Sequence, residues 1–520
     1  MAHNVVTAAQ MKTIEEQASL RLGLPLSSLM QSAGEALARF VHTLFPQGNI
    51  VVLCGSGGNG GDGFVAARWL HSAGRAVTTV VTKPLSQLGG DTRVMAQALA
   101  ACGASIHELP HLDRLPTLSE GDVIIDAILG IGVSTDITGA AQTLTEWAGK
   151  QTATIIAVDI PTGVCADTGR VFEGAIHADI TFTLVAPKRG ILLFPGTSNA
   201  GKIYVHELAL PAHPLNTHGC TLLTAQDFQA ILPTRVQHKN ANKGSHGRVL
   251  VIAGSGCMPG AAILTATAAL RAGAGYVTLM STTRVVQTAA GTAPEIVYAP
   301  IKATPEGGLV AVEAIANIQG MLGKIDAIAI GPGLGRAESI QAIVRYVLDH
   351  VAQPLVLDAD ALYTIAPDVM EQRALRGWVT VITPHPGEAR NALGVDTETM
   401  DRVDAVQSLA KKLHCIVLLK GARTLVADAS GSTYFNRVGT PALGTAGSGD
   451  TLTGIIAALL SQRVRPLLAT ICAATLHSRA GELASLKCGL MSTSATDIRD
   501  AIGDAWMRLA AGEDTSPWIN

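Results

Sequence analysis

Short apolar runs, separated by glycine-rich or polar turns and by helix-length segments, recur along most of the chain. The opening stretch differs. There Met11, Ile14, Ala18 and Leu22 fall at helical spacing with Glu15 and Glu16 off that face, which predicts leading helices. From Asn49 the runs read NIVVLC, AVTTVVT, DVIIDAIL, TIIAVDIP and ITFTLVA, with helices predicted near Phe64 to Ala73, Thr92 to Ala101 and Ala141 to Lys150. Continuous apolar strands alternating with helices are the pattern of a parallel sheet covered on both faces, a Rossmann-like three-layer α/β domain.

Periodicity lapses at ELALPAHPLNTHGC, from Glu207 to Cys220, and this Pro- and His-containing stretch is the predicted linker. A second series follows: RVLVIAG, YVTLM, DAIAIGPG, PLVLDAD, VTVITPHPGE and CIVLLKG. The expectation is two α/β domains, residues 1–215 and 222–510. Their spacing and motifs differ, so they are not a repeat.

Composition agrees: 48% hydrophobic residues, 54 glycines and 4% aromatics suit parallel sheets under helices, and 520 residues exceed one ordinary core. A net charge of −3 without a basic run argues against nucleic acid as a partner. The eight cysteines are widely spaced with no C-x-x-C pair, so neither a zinc site nor a disulfide framework is expected. The first residues lack a basic start followed by an apolar run, and no apolar stretch is long enough to span a bilayer. A cytoplasmic protein acting on small molecules, with no membrane partner, is expected.

Ligands gather at the carboxyl ends of strands in open α/β sheets, which gives the residues after each run most weight. In the second series these are GSGCMPGAA, GPGLG, DADAL, TPHPGEA, KGART and GTAGSGDTLTGIIAALL. Thr445 to Asp450 is a small-residue turn opening an apolar helix, which aims backbone N–H groups and the positive end of the helix dipole at one point. Asp450 is placed to accept a proton from an attacking hydroxyl, or else simply to cap the helix. Lys420 and Thr424 suit a nucleotide's phosphates and ribose, although Lys420 also reads as a solvated strand end. His385 fits a substrate contact or a structural role beside its prolines.

Together these segments resemble the NAD(P)H-hydrate dehydratases of the ribokinase-like superfamily, over nearly all of Leu222 to Asp500. That resemblance implies a ribokinase-like α/β domain that phosphorylates the hydroxyl of a nicotinamide hydrated at C6 and eliminates phosphate. It implies ADP as co-substrate and Mg²⁺, Asp450 as proton acceptor, and an anion hole of Gly447, Ser448 and Gly449. Lys420, Gly421, Ala422, Arg423, Thr424 and Gly449 would hold the nucleotide, and Ala261, Gly335, His385 and Asp450 the hydrate. The loop reads A-G-S-G-D where the family more often has G-G-T-G-D.

In the first domain VVLCGSGGNGGDGFVAARWL contains G-x-G-x-x-G from Gly55 to Gly60, but no acid ends the next strand, where Lys83 and Pro84 follow AVTTVVT. An ordinary dinucleotide oxidoreductase is therefore disfavoured. Asn59 and Asp62 in the loop, with Asp126 and Asp159 at two strand ends, suggest proton transfer or cation binding, the alternative being independent helix caps. GNGGDG, DAILGIGVSTD and DIPTG resemble the NAD(P)H-hydrate epimerases, over most of residues 1–210. The resemblance implies potassium at Asn59, Asp126 and Thr162, and Asp159 as the catalytic acid or base. It implies substrate contacts from Gly58, Asn59, Gly60, Gly61, Asp62, Gly130, Ile131, Gly132, Val133, Ser134, Thr135, Asp136 and Asp159. Gly58 stands where Asn is often found.

Both resemblances in one chain imply a bifunctional hydrate repair enzyme, expected to be a homo-oligomer. The alternatives are a kinase of a vitamin-precursor alcohol, and a catalytically silent, scaffolding first domain.

Overall fold

The computed structural model describes residues 3–109, 115–208, 210, 219–231, 243–396 and 400–513. Contacts divide the chain into two compact units, one from His3 to Gly219 and the other from Cys220 onward. Most of the expected linker, at 209 and 211–218, lies outside the described residues.

The first unit holds a sheet of seven strands in the order Ile106–Glu108, Val77–Val81, Ile50–Cys54, Val123–Ala127, Thr154–Val158, Ile180–Leu184 and Lys202–His206. Every neighbouring pair is parallel. Five of these strands match the apolar runs. The edge strands Ile106–Glu108 and Lys202–His206 were not anticipated, because neither carries a continuous apolar pattern. Alternation within a strand builds the layers: Ile50, Val52 and Cys54 pack with Leu37, Val41, Phe64 and Leu70, while Val51 and Leu53 pack on the other face with Ile124 and Leu144. Strand order reverses between Ile50–Cys54 and Val123–Ala127, and a crevice opens at such a switch point.

The second unit's sheet runs Cys220–Leu222, Thr433–Phe435, Leu425–Ala427, Ile416–Leu419, Thr380–Ile382, Leu355–Leu357, Ala327–Ile330, Arg248–Ile252, Tyr276–Thr282 and Val297–Ile301. From Ile416–Leu419 to Val297–Ile301 all neighbours are parallel. All six expected runs lie in this part. An antiparallel meander through Leu425–Ala427 and Thr433–Phe435 extends one edge. Its strands of three residues are too short for periodicity to betray. The order reverses between Arg248–Ile252 and Ala327–Ile330, so the loops after these strands flank the switch point.

Candidate active sites

The strand Ile50–Cys54 runs through Gly55 to Gly57 into the helix Gly58–Ser72, whose first-turn N–H groups face the reversal point. Beside it opens a cavity of about 730 Å³, lined by Gly57 to Asn59, Asp62, the loop from Ile128 to Thr138, Asp159 and Lys188, with Glu15 from the helix Ala8–Leu22. That volume suits a drug-sized or cofactor-sized ligand.

Asp159 has a left-handed backbone (φ 67°), unusual for a residue with a side chain. Its carboxylate accepts from Leu184 N at 3.0 Å and Thr183 Oγ1 at 3.3 Å, and pairs with Lys188. The fully buried Lys188 ammonium also donates to Leu184 O at 2.9 Å. Burial first, then the charges of Asp159 and Glu15, push the Asp62 carboxyl well above the usual carboxylate range.

Beneath the loops, fully buried Asp126 accepts Thr162 Oγ1 at 2.7 Å and Thr162 N at 2.8 Å. Burial pushes its carboxyl up to about 6, and the Thr162 hydrogen bonds oppose the rise. Asn59 Nδ2 donates to Leu129 O at 3.1 Å, and Leu129 N donates to Thr162 Oγ1 at 3.0 Å, which ties the three side chains into one cluster. Neither Asp126 nor Asp159 caps a helix, so the independent-cap alternative does not hold.

In the second unit Gly447, with φ 87°, turns the chain into the apolar helix Ser448–Ser461. Gly447 is the N-cap and no side chain caps the helix, so Asp450 stands free in the first turn rather than capping it. Burial, then the charge of Asp358, pushes the Asp450 carboxyl up to about 6, partly offset by Lys420. Lys420 is no solvated strand end: its ammonium lies 2.8 Å from Asp358 Oδ1 and 3.6 Å from Glu388 Oε2. Burial alone would lower its pKa, but Asp358, Glu388 and Asp450 raise it overall. Thr453 Oγ1 donates to Asp358 Oδ2 at 2.7 Å, and Ser448 Oγ meets the buried His477 Nε2 at 3.1 Å. An acid poised near neutrality, a lysine and a helix N-terminus thus share one crevice, the equipment for transferring a phosphoryl group to a hydroxyl.

Comparison with known proteins gives this equipment a lineage. A family described as NAD(P)H-hydrate dehydratase matches residues 249–503, and one described as YjeF-related protein N-terminus matches residues 26–190. The bifunctional NAD(P)H-hydrate repair enzyme Nnr of Moorella thermoacetica is 36% identical over 510 residues, 95% of each chain. Its namesake in Escherichia coli is 31% identical over 502 residues, 95% of this chain and 92% of the other. The chain belongs to the bifunctional NAD(P)H-hydrate repair enzymes. A solved ADP/ATP-dependent NAD(P)H-hydrate dehydratase from Bacillus subtilis, co-crystallized with ATP/Mg²⁺, is 30% identical, with a TM-score of 0.47, and covers 55% of this chain and 97% of that one.

For a repair enzyme of this family, the residues expected at the sites are placed as follows. Gly58, Asn59, Asp62, the whole stretch from Gly130 to Asp136 and Asp159 line the first cavity, whereas buried Gly60 and Gly61 turn toward Gly55 and Met30. A Cβ on Gly60 would lie 2.0 Å from Gly55 O; at Gly58 nothing lies within 4 Å, so the Asn common there leaves open space when absent. In the second unit Ala261 meets the GPGLG turn at Gly333, and Gly335 N donates to Asp360 Oδ2 at 2.9 Å.

His385 caps the helix Pro386–Leu393 in a reciprocal box with Glu388, so its structural role is real. Ser448 N donates to Thr445 O at 3.3 Å, and Thr424 Oγ1 to Gly421 O at 3.4 Å. Arg423 turns its guanidinium onto Arg437 O. Asp358, Glu388, Thr453, His477, Arg402, Lys188 and Glu15 were not singled out. Asp358 and Glu388 sit in strand-end segments already flagged, and Lys188 follows ITFTLVA, so the strand-end rule reaches these three. Glu15 needed the tertiary fold.

Proposed function

We propose that the protein repairs hydrated NADH and NADPH, interconverting the R and S hydrates in the first unit and dehydrating the S hydrate in the second with ADP, giving AMP and phosphate. What supports this is that each unit holds a carboxyl raised by burial beside a strand-order reversal, in a chain matched over 95% of its length by a bifunctional repair enzyme.

In the dehydratase, Asp450 takes the proton of the C6 hydroxyl as that oxygen attacks the terminal phosphorus of ADP. N–H groups at the start of Ser448–Ser461 and the Lys420 ammonium face the transferred group. Phosphate then leaves C6 while C5 loses a proton, which restores the ring double bond. Among the described residues no three carboxylates converge into a metal site; Mg²⁺ would be held mainly by the nucleotide's phosphates, with Asp358 or Glu388 near enough to Lys420 to contribute a carboxylate oxygen, and would supply charge neutralisation there.

Among the described residues the buried Asp126 carboxylate accepts hydrogen bonds from Thr162 and Ile128 alone, and no basic side chain pairs with it. It fits a monovalent cation held with Asn59 and Thr162, and potassium there would supply the missing positive charge. The eight cysteines are free, as suits a reducing cytoplasm.

The test is recovery of reduced-nicotinamide absorbance from separately purified S and R hydrates, with ADP, ATP or no nucleotide, in Mg²⁺ and K⁺. Nucleotide-dependent recovery from both epimers is expected. Recovery from S alone would refute the epimerase, and recovery from neither would refute both activities in favour of alcohol phosphorylation.

A further inference from the structure

The first cavity holds more acid than one proton transfer requires. Glu15 from the helix Ala8–Leu22, Asp62 from the helix Gly58–Ser72, and Asp159 after Thr154–Val158 line it together, with Lys188 bonded to Asp159. Lys188 is committed: its ammonium is spread over Asp159, Leu184 O and Thr183 Oγ1. Glu15 and Asp62 are half-buried, and no hydrogen bond or ion pair holds either one among the described residues. Three carboxyl groups around the one buried lysine cannot all ionise cheaply in a partly dry cavity.

Inverting C6 of the hydrate requires the hydroxyl to leave one face of the ring and return to the other, so one carboxylate on one face is insufficient. We propose that Asp62 is the acid of the epimerase, working against Asp159 as the base, and that Glu15, on the same cavity wall, is a positioning residue acting through Asp62. This rests on the epimerase reading of the cavity.

Asp62 gives its proton to the C6 hydroxyl as the C6–O bond breaks; the bonding pair leaves on oxygen as water, and the N1 lone pair forms the C6=N1 double bond. Water then adds from the opposite face. Its lone pair makes the new C6–O bond, the double-bond pair returns to N1, and Asp159 takes the released proton. The reverse epimerisation exchanges the two roles, and solvent resets the protons between turnovers. No oxidant or co-reactant is needed.

The electrostatics agree. The Asp62 carboxyl is held well above its usual range by burial first, then by Asp159 and Glu15, with Lys188 opposing. The Glu15 carboxyl is itself raised by burial and then by Asp159, with Lys188 and Lys12 opposing and Glu16 adding. Cys54, behind Asp62 on the neighbouring strand, is pushed up by burial and by Asp62 and stays a thiol. Asp136 and Lys12 complete the charged groups on the cavity wall.

The experiment uses the full chain and follows R-to-S conversion by chromatography across pH, with dehydration of the S hydrate as the internal standard for folding. Asp62→Asn is expected to lower epimerisation at least 100-fold, the scale of a lost general acid, with dehydration unchanged. Glu15→Gln is expected to retain measurable turnover and move the alkaline limb of the epimerisation profile to lower pH, because removing the Glu15 charge releases the Asp62 proton sooner.

Epimerisation by Asp62→Asn within tenfold of the wild type overturns the proposal. An unmoved alkaline limb in Glu15→Gln overturns the role of Glu15, and this variant serves also if Asp62→Asn fails to fold. Wild-type protein that does not interconvert the epimers overturns the epimerase reading itself, an outcome separable from the others because it precedes any substitution.

Discussion

Replacing Asp450 with Asn should move two measurements in opposite directions. The carboxyl sits at about 6 in the folded chain against 3.8 for the unperturbed group, because burial and Asp358 disfavour its charge. A raised acid pKa means the folded state binds that proton more tightly than the unfolded state does. Ionising it therefore costs folding free energy as pH rises from about 3.8, and the cost is complete above about 6. At about 1.4 kcal/mol per pH unit the difference amounts to roughly 3 kcal/mol. Solvent screening of a partly exposed side chain reduces this to about 1–2 kcal/mol.

Asparagine carries no such charge. Asp450→Asn should accordingly raise the melting temperature of the ADP-sensitive calorimetric transition by about 2–6 °C at pH 7, a gain that shrinks toward zero below pH 4. Dehydration of the S hydrate should meanwhile fall by about 10² to 10⁴, the loss expected of a missing general base. In the wild type kcat/KM for dehydration should decline on the acid side with a limb near pH 6. Turnover within a few-fold of wild type, or a stability gain that does not vary between pH 4 and 7, would refute the argument.

Four further substitutions probe the supports of the sites. Arg402 donates to Lys420 O at 3.3 Å and to Ala422 O, holding the KGART loop, so Arg402→Ala should raise KM for ADP about tenfold and leave KM for the hydrate unchanged in steady-state kinetics. His477→Leu strips Ser448 Oγ of its buried partner and should cost about 1–3 kcal/mol of stability in urea unfolding while raising KM for ADP. Burial lowers the imidazole to about 4, so His477 should add no limb to the dehydration profile above pH 5. Gly60→Ala drives a Cβ against Gly55 O and should abolish epimerisation and lower the first unit's stability by about 1–3 kcal/mol or more, whereas Gly58→Asn enters open space and should preserve both in thermal-melt and epimerisation assays.

The layered α/β plan was legible because strands buried on both faces leave unbroken apolar runs, and NIVVLC or DAIAIGPG could hardly be read otherwise. Short strands such as Thr433–Phe435 gave no such signal. At three residues it is too brief to show a pattern and owes its pairing to the strands on either side of it. Within the sites, the glycine-rich turns announced themselves by composition, and Asp450 by its place at a helix start.

Asp358 did not stand out, since an acid following an apolar strand is common; its pairing with Lys420 comes from sequence positions 62 apart. Glu15 was not recognised as a site residue for a related reason. The helical spacing correctly put it off the face of Met11 and Ile14, but that flank faces a cavity wall rather than open solvent. Helical periodicity says which side of a helix is apolar, not what stands opposite the polar side.

The division of the chain into two compact units, each with its own sheet and its own switch point, also bears on supply and demand. Because one polypeptide carries both, every ribosomal passage delivers one isomerising centre and one eliminating centre, and neither can be made in excess of the other. A dehydratase confined to one epimer would leave the other unrepaired. Covalent parity ensures that wherever the consuming centre goes, its feeder is present in equal number.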